Sequence, residues 1–400
     1  MKRRGFLALG AGALATPILA PSAAQAATGS AGAAAKANSA GSATAAAGSI
    51  PADSLRALAA KVGLRFGSAL IPSDLDTPAY AQIAAQQFSV VTPGNEMKWQ
   101  VVEPEQGVYD WSGADNLVAF AQANGQLVRG HTLMWHNQLP NWLTDGVANG
   151  SISATELAGL LKNHIYTEVG RYRGKIWQWD VVNEVFANSW DTPTANGLVS
   201  TDFWIQNLGE GIVYDAFRWA HEADPHALLV INDYNITGED GTNAKFDAVH
   251  AWAQKALSQG VPVHAIGSQA HLDTQYGFPT SMADDLRAYA DLGLKTAITE
   301  ADVRTFVDGP TTQVPTDRLA PWAQANWWAG MLQAALSSPD CISFTVWGFC
   351  DADSWVPGTF SGEGAACLYD VNLNPKPAYT DLQSNLQLAA FGAPRRNSGN

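Results

Sequence analysis

The chain has 400 residues, 46% of them hydrophobic, and a formal net charge of −14. Its length suits one large domain or two or three ordinary ones, with ample apolar material for a core. The acidic balance argues against nucleic acid or anionic lipid as a partner, because both would be repelled. A neutral or cationic partner fits better, and the fifteen tryptophans supply flat apolar faces suited to sugar rings as well as to a core.

Residues 1–26 have the anatomy of an export signal. Lys2, Arg3 and Arg4 precede an apolar run from Gly5 to Ala20, and Ala24-Gln-Ala26 offers a small-residue cleavage site. Arg3-Arg4-Gly5-Phe6-Leu7 has the twin-arginine form. Cleavage after Ala26 removes three positive charges and no acid, taking the net charge from −14 to −17. In residues 27–49, nineteen of twenty-three are Ala, Gly or Ser, which leaves too little apolar surface to offset the entropy of ordering, so a disordered leader is expected. No run of 18 apolar residues follows residue 50, so no membrane span is expected after processing.

From residue 50 to 391 short apolar runs alternate with amphipathic segments. The expected strands are Val62–Leu70, Gln87–Thr92, Leu127–Trp135, Ile176–Glu184, Leu228–Asp233, Ala265–Leu272, Thr296–Glu300 and Ile342–Phe349. Helical spacing marks Asn116–Asn124, Ala154–Gly170, Asn207–Ala223, Ala244–Gln259, Met282–Leu292, Pro321–Leu336 and a last helix, Leu382–Phe391. Residues 392–400 read as a polar tail. Eight strand-then-helix units predict an α/β protein with a single (β/α)8 TIM barrel. No Gly-x-Gly-x-x-Gly turn favours an open dinucleotide-binding sheet instead.

Polar and aromatic residues crowd the strand exits, where barrel enzymes place their chemistry. The fourth expected strand ends in Asn183-Glu184 and the seventh in Glu300. Two carboxyl groups across a barrel mouth are what glycoside hydrolysis needs, one to protonate the leaving oxygen and one near the anomeric carbon. Asn183 is placed to grip a sugar 2-hydroxyl, and His271 with Asp302 to position Glu300. Neither a His-Glu-x-x-His helix, a Gly-x-Ser-x-Gly elbow nor a phosphate-binding loop occurs, which argues against zinc, serine and nucleotide chemistry. Catalysis by two carboxylates requires no metal and no cofactor. Cys341, Cys350 and Cys367 cluster around the eighth strand; Cys350–Cys367 is the expected disulfide, with Cys341 as a small buried hydrophobe.

Asn95-Glu-Met-Lys-Trp99, Gly130-His-Thr-Leu-x-Trp135, Trp179-Asp-Val-Val-Asn-Glu184, Gly267-x-Gln-x-His271, Thr299-Glu-x-Asp302 and Thr345-Val-Trp-Gly348 together resemble the family-10 glycoside hydrolases, chiefly secreted endo-β-1,4-xylanases. The resemblance runs from about Pro51 to Gln387 with the motifs in order. It implies a retaining double displacement with Glu184 as acid/base and Glu300 as nucleophile. It further implies that Asn183 holds the 2-hydroxyl at the cleavage point, that His271 and Asp302 support Glu300, and that His131, Gln269 and Trp135 wall the same subsite. Asn95 and Lys98 then contact the next sugar on the non-reducing side under Trp347 and Trp355, while Tyr234 and Asn235 meet the leaving-group side. The implied substrates are xylan and xylo-oligosaccharides, and a monomer is expected.

Two positions depart from the family pattern. Gly94 stands where many members carry a Glu that contacts the distal sugar, which predicts weakened or altered binding there unless a loop turns Glu96 inward. Ala301 replaces a larger aliphatic residue and is expected to repack. A related barrel that cuts β-1,4-glucan, and a non-catalytic polysaccharide-binding barrel, are the competing readings.

Overall fold

The computed structural model describes residues 49–392. The expected export signal, the leader up to residue 48 and the tail from residue 393 lie outside the described residues.

The barrel strands are β1 (Arg65–Leu70), β2 (Val90–Pro93), β3 (Leu127–Met134), β4 (Gln178–Asn183), β5 (Leu228–Asp233) and β6 (Ala265–Ser268). A short β7 (His271–Asp273) is followed by β8 (Lys295–Phe306), β9 (Cys341–Val346) and a two-residue β10 (Glu363–Gly364). Parallel pairing runs β1–β2–β3–β4–β5–β6–β8–β9 and returns from β9 to β1, closing an eight-stranded barrel. Helices follow every barrel strand and cover its outside, so the strands are buried on both faces, as the near-continuous burial of β2 and β4 shows. Packing at the β3–β4 step depends on Gly130, which lies opposite Trp179. A Cβ added there would sit 2.2 Å from the indole Cε3, so any side chain would displace a fully buried tryptophan.

All eight expected strands are present, with shifted ends. The first two strands start later than expected, because Val62 caps the helix Leu55–Lys61 and Gln87 closes the helix Pro78–Gln87. The expected strand Ala265–Leu272 is interrupted, since Ala270 takes a left-handed φ of 60° between β6 and β7. The expected helix Asn207–Ala223 is two helices, Phe203–Leu208 and Gly211–Ala223. Gly209 at φ 77° turns the chain between them, and Asp202 caps the first by accepting from the Trp204 and Ile205 amides. The last helix is longer than expected, Pro377–Gly392.

The expected Cys350–Cys367 disulfide is not formed, and all three cysteines are buried reduced thiols. The segment after β9 does run beside residues 365–370. However, its parallel bridge pairs Cys350 with Tyr369 rather than Cys367, and the Cys350 thiol donates to the Asp370 carbonyl at 3.4 Å. Burial pushes the Cys350 pKa up to about 12, which keeps it protonated and unreactive. No helix among the described residues is long and apolar enough to cross a membrane.

Candidate active site

A cleft of about 1270 Å³ opens at the C-terminal ends of the barrel strands. Asn95, Lys98, His131, Trp135, Glu184, Tyr234, Asn235, Gln269, His271, Glu300, Trp347 and Trp355 all line it. Asn183 and Asp302 stand immediately behind that wall, hydrogen-bonded to Gln269 and His271 in it.

Glu300 lies within β8 and is 4% exposed. Its Oε1 accepts from Asn232 Nδ2 at 2.7 Å, and His271 Nε2 lies 3.3 Å from Oε2. His271 Nδ1 in turn lies 2.9 Å from Asp302 Oδ2, which also accepts from Trp355 Nε1 at 2.8 Å. Burial works against a charge on His271, but the Asp302 and Glu300 carboxylates outweigh it and lift its pKa to about 10. Burial would likewise raise the Glu300 pKa. The His271 hydrogen bond and the charges of His131, His271 and Arg129 overcome that and hold the carboxyl down at about 2. Glu300 is therefore an ionised carboxylate held almost wholly buried at the floor of the cleft.

Glu184 occupies the first position beyond β4, partly exposed, with φ 58°. A left-handed turn is costly for a residue with a Cβ; here the amide is held by the Asn232 carbonyl at 2.9 Å. The carboxylate accepts from Trp135 Nε1 at 2.8 Å on one oxygen and from Gln269 Nε2 at 3.0 Å on the other. Asn183 links the two acids. Its Oδ1 accepts from Asn232 Nδ2 at 2.8 Å and from Gln269 Nε2 at 3.3 Å, the same two amides that hold Glu300 and Glu184. Asn183 Nδ2 is buried with no protein partner among the described residues, a donor left over for a ligand hydroxyl.

Sequence reasoning passed over the layer beneath. Asn232, at the end of β5, bridges Asn183 and Glu300 and is itself oriented by Thr299 Oγ1 at 2.7 Å. Below it, Asp180 is paired with Arg129 and lies 2.7 Å from His131 Nδ1, and His131 Nδ1 is 4.0 Å from Glu300 Oε1. Charged residues inside the apolar runs Leu127–Met134 and Gln178–Asn183 were the available signal. His131, Asp180 and Glu300 are close enough to share a cation. Asp180, however, already neutralises Arg129, so the donor set is poorly matched to a metal.

On one side of the acids, Lys98 is 7% exposed, donates to Asn95 Oδ1 at 3.0 Å, and lies 5.1 and 5.9 Å from the Trp135 and Trp347 rings. Burial lowers its pKa, opposed by the charges of Glu300, Glu184 and Glu96. Gly94 lines the cleft here, and Glu96 does not replace the missing carboxylate. Its Oε2 accepts from the Asn95 amide, and its side chain packs on Gly113. Asp74 and Asp353 line the same end. Burial, then the Asp353 charge, raises the Asp74 pKa to about 6. Ala301 is fully buried in the core.

On the opposite side, the Tyr234 hydroxyl accepts from Asn188 Nδ2 at 3.0 Å, and Lys245 Nζ sits 3.9 Å above its ring. Asn235, at φ 58°, reaches Asn188 Oδ1 at 3.4 Å. These residues are thus braced by neighbouring strand exits.

The profile of Glycosyl hydrolase family 10 matches residues 54–385. Endo-1,4-beta-xylanase B of Thermotoga neapolitana is 38% identical over 336 residues, spanning 83% of this chain and 91% of the relative. Native xylanase 10B from Thermotoga maritima superimposes with a TM-score of 0.76 at 36% identity, over 85% of this chain and 100% of that one. Xylanase 10B from Thermotoga petrophila RKU-1, in complex with xylobiose, gives the same score and identity over 84% and 98%. The closed barrel, the cleft at its C-terminal mouth and these matches lead to one conclusion: the chain belongs to glycosyl hydrolase family 10.

Proposed function

We propose that the protein hydrolyses internal β-1,4-xylosidic linkages of xylan by a retaining double displacement. Glu300 attacks the anomeric carbon while Glu184 donates its proton to the glycosidic oxygen, so the leaving chain departs as an alcohol and a covalent glycosyl-Glu300 ester remains. Glu184, now a carboxylate, takes a proton from water, whose oxygen attacks the same carbon and releases Glu300. Two inversions at one centre give net retention. The observation that carries this reading is the bracing of both acids through Asn183. Asn232 ties Glu300, and Gln269 ties Glu184, to one carboxamide oxygen, while the Asn183 amide nitrogen is left over for a sugar hydroxyl. Proton NMR of a fresh xylo-oligosaccharide digest tests it: the β-anomer should appear first, with short xylo-oligosaccharides as products. Initial release of the α-anomer would rule out the double displacement.

Export by the twin-arginine route is part of the same proposal, supported by Arg3-Arg4 ahead of the apolar run. Replacing both arginines with lysine should abolish secretion of active enzyme, measured in the culture fluid.

A further inference from the structure

Two aromatic residues on the cleft wall have no part in the chemistry above. Trp190 and Tyr276 both line the cleft, yet they are 68% and 66% exposed, far more than Trp135, Trp347 or Trp355. Trp190 lies on the loop after β4 and Tyr276 on the loop after β7. The intervening β5 loop carries Tyr234, because the sheet order is β6–β5–β4. Both aromatics therefore belong to the Tyr234 half of the mouth, away from the Asn95–Lys98 end.

Neither residue sits on a loose loop. The segment bearing Trp190 is a small antiparallel fold, bridged at Phe186–Leu198 and Pro193–Val199. Its tip is closed by Asp191, which accepts from the Asn188 amide and side chain at 2.8 and 3.0 Å. Asn188 then ties the tip to the Tyr234 hydroxyl. The turn bearing Tyr276 is closed on Asp273, which accepts from the Gln275 amide at 2.8 Å and is paired with Arg304 at 3.1 Å. Rigid, exposed aromatic faces continuous with a sugar-cleaving cleft lose little conformational entropy when a ligand covers them. The occupant that fits is the neutral chain leaving the cleft, since its ring C–H faces match flat π-surfaces and it carries no charge for the acidic surface to repel.

We propose that Trp190 and Tyr276 are the outer leaving-group subsites, stacking xylose units beyond the one that meets Tyr234, so that they set the preference for long chains. The proposal rests on the reading of the cleft as a xylan-cleaving site.

The test compares kcat/KM on xylohexaose with that on a nitrophenyl β-xylobioside, which has no sugar on the leaving side, for the parent, W190A, W190F, Y276A and the double alanine variant. Each single alanine variant should lower the xylohexaose-to-aryl-substrate ratio about tenfold, mostly through KM, with W190F retaining most of it. The bond cleaved in reducing-end-labelled xylohexaose should shift as well. An unchanged ratio and cleavage pattern, or an equal loss on both substrates, would overturn the assignment. A parent inactive on both substrates would instead overturn the xylan reading, and this assignment with it.

Discussion

Glu300 and Glu184 stand on the same barrel mouth, but the protein holds them by opposite means. Around Glu300, apart from the Asn232 amide, the partners are charged and the group is almost wholly buried: His271, backed by Asp302, together with His131 and Arg129, keeps the carboxyl ionised. Around Glu184 the donors are neutral, an indole and a carboxamide, and the group remains partly open to the cleft. A nucleophile benefits from staying a carboxylate at every working pH. A group that must give up and then regain a proton benefits from partners that orient it without fixing its charge. The difference in environment separates the proposed roles, although both residues are glutamates at strand exits.

The largest expected effect comes from erasing one side of that contrast. E300Q keeps the size and the Asn232 contact but removes the attacking oxygen anion. Turnover on xylan should fall by about 10⁴-fold or more with the fold intact. Thermal unfolding is the control, and substantial activity in a folded variant would reject Glu300 as the nucleophile. E184A should be less damaging and step-selective. With a dinitrophenyl xylobioside, whose leaving group needs no proton, stopped-flow should show a retained first-turnover burst. Steady turnover should fall roughly 10²- to 10⁴-fold as the glycosyl-enzyme accumulates. Loss of the burst as well would move Glu184 out of the acid/base role.

The contrast was only half legible in the sequence. The acids themselves, and Asn183, Gln269 and His271, announced themselves because a polar side chain ends an otherwise apolar strand. The supports did not. Arg129 and Asp180 lie inside apolar runs, where a strand pattern reads them as interruptions, and only the β3–β4 register brings them together below His131. Asn232, at the end of the fifth expected strand, is one polar exit among several, and its bridging role depends on three strands meeting. Backbone conformation was equally hidden. Nothing in the letters signals that Glu184 and Ala270 turn left-handed, although the second of these cuts the sixth strand and aims His271 at Glu300. Nothing in the letters separates Trp190 from a core tryptophan; its loop leaves it exposed at the cleft.

H271N probes the charged side more gently, keeping a side-chain amide while deleting the cation. Without that cation only His131 and Arg129 oppose burial, so the Glu300 pKa should rise and the acidic limb of kcat/KM should move to higher pH. The same pair makes stability depend on pH. The Glu300 contribution is present above its ordinary 4.5 and lost as pH falls through about 2. The His271 contribution is complete below its ordinary 6.5 and lost as pH rises through about 10. The Tm difference between parent and H271N should therefore be greatest between pH 4.5 and 6.5. A difference flat across pH would mean that His271 contributes packing rather than charge.

The smallest change tests the neutral side. W135F keeps an aromatic face under Lys98 but removes the indole N–H that donates to Glu184 at 2.8 Å. Gln269 still holds the other oxygen, so the carboxyl loses one of two restraints rather than its place. A single hydrogen bond to a charged group is worth about 1.5 kcal/mol or somewhat more, so kcat on xylan should fall about tenfold with KM nearly unchanged. The loss should follow the pattern of E184A at reduced amplitude, with the first-turnover burst on the dinitrophenyl substrate intact and the subsequent deglycosylation slowed. If the burst slows to the same extent as steady turnover, the indole acts on the sugar or on Glu300 instead. The division between a charge-clamped nucleophile and a neutrally oriented acid would then not extend to Trp135.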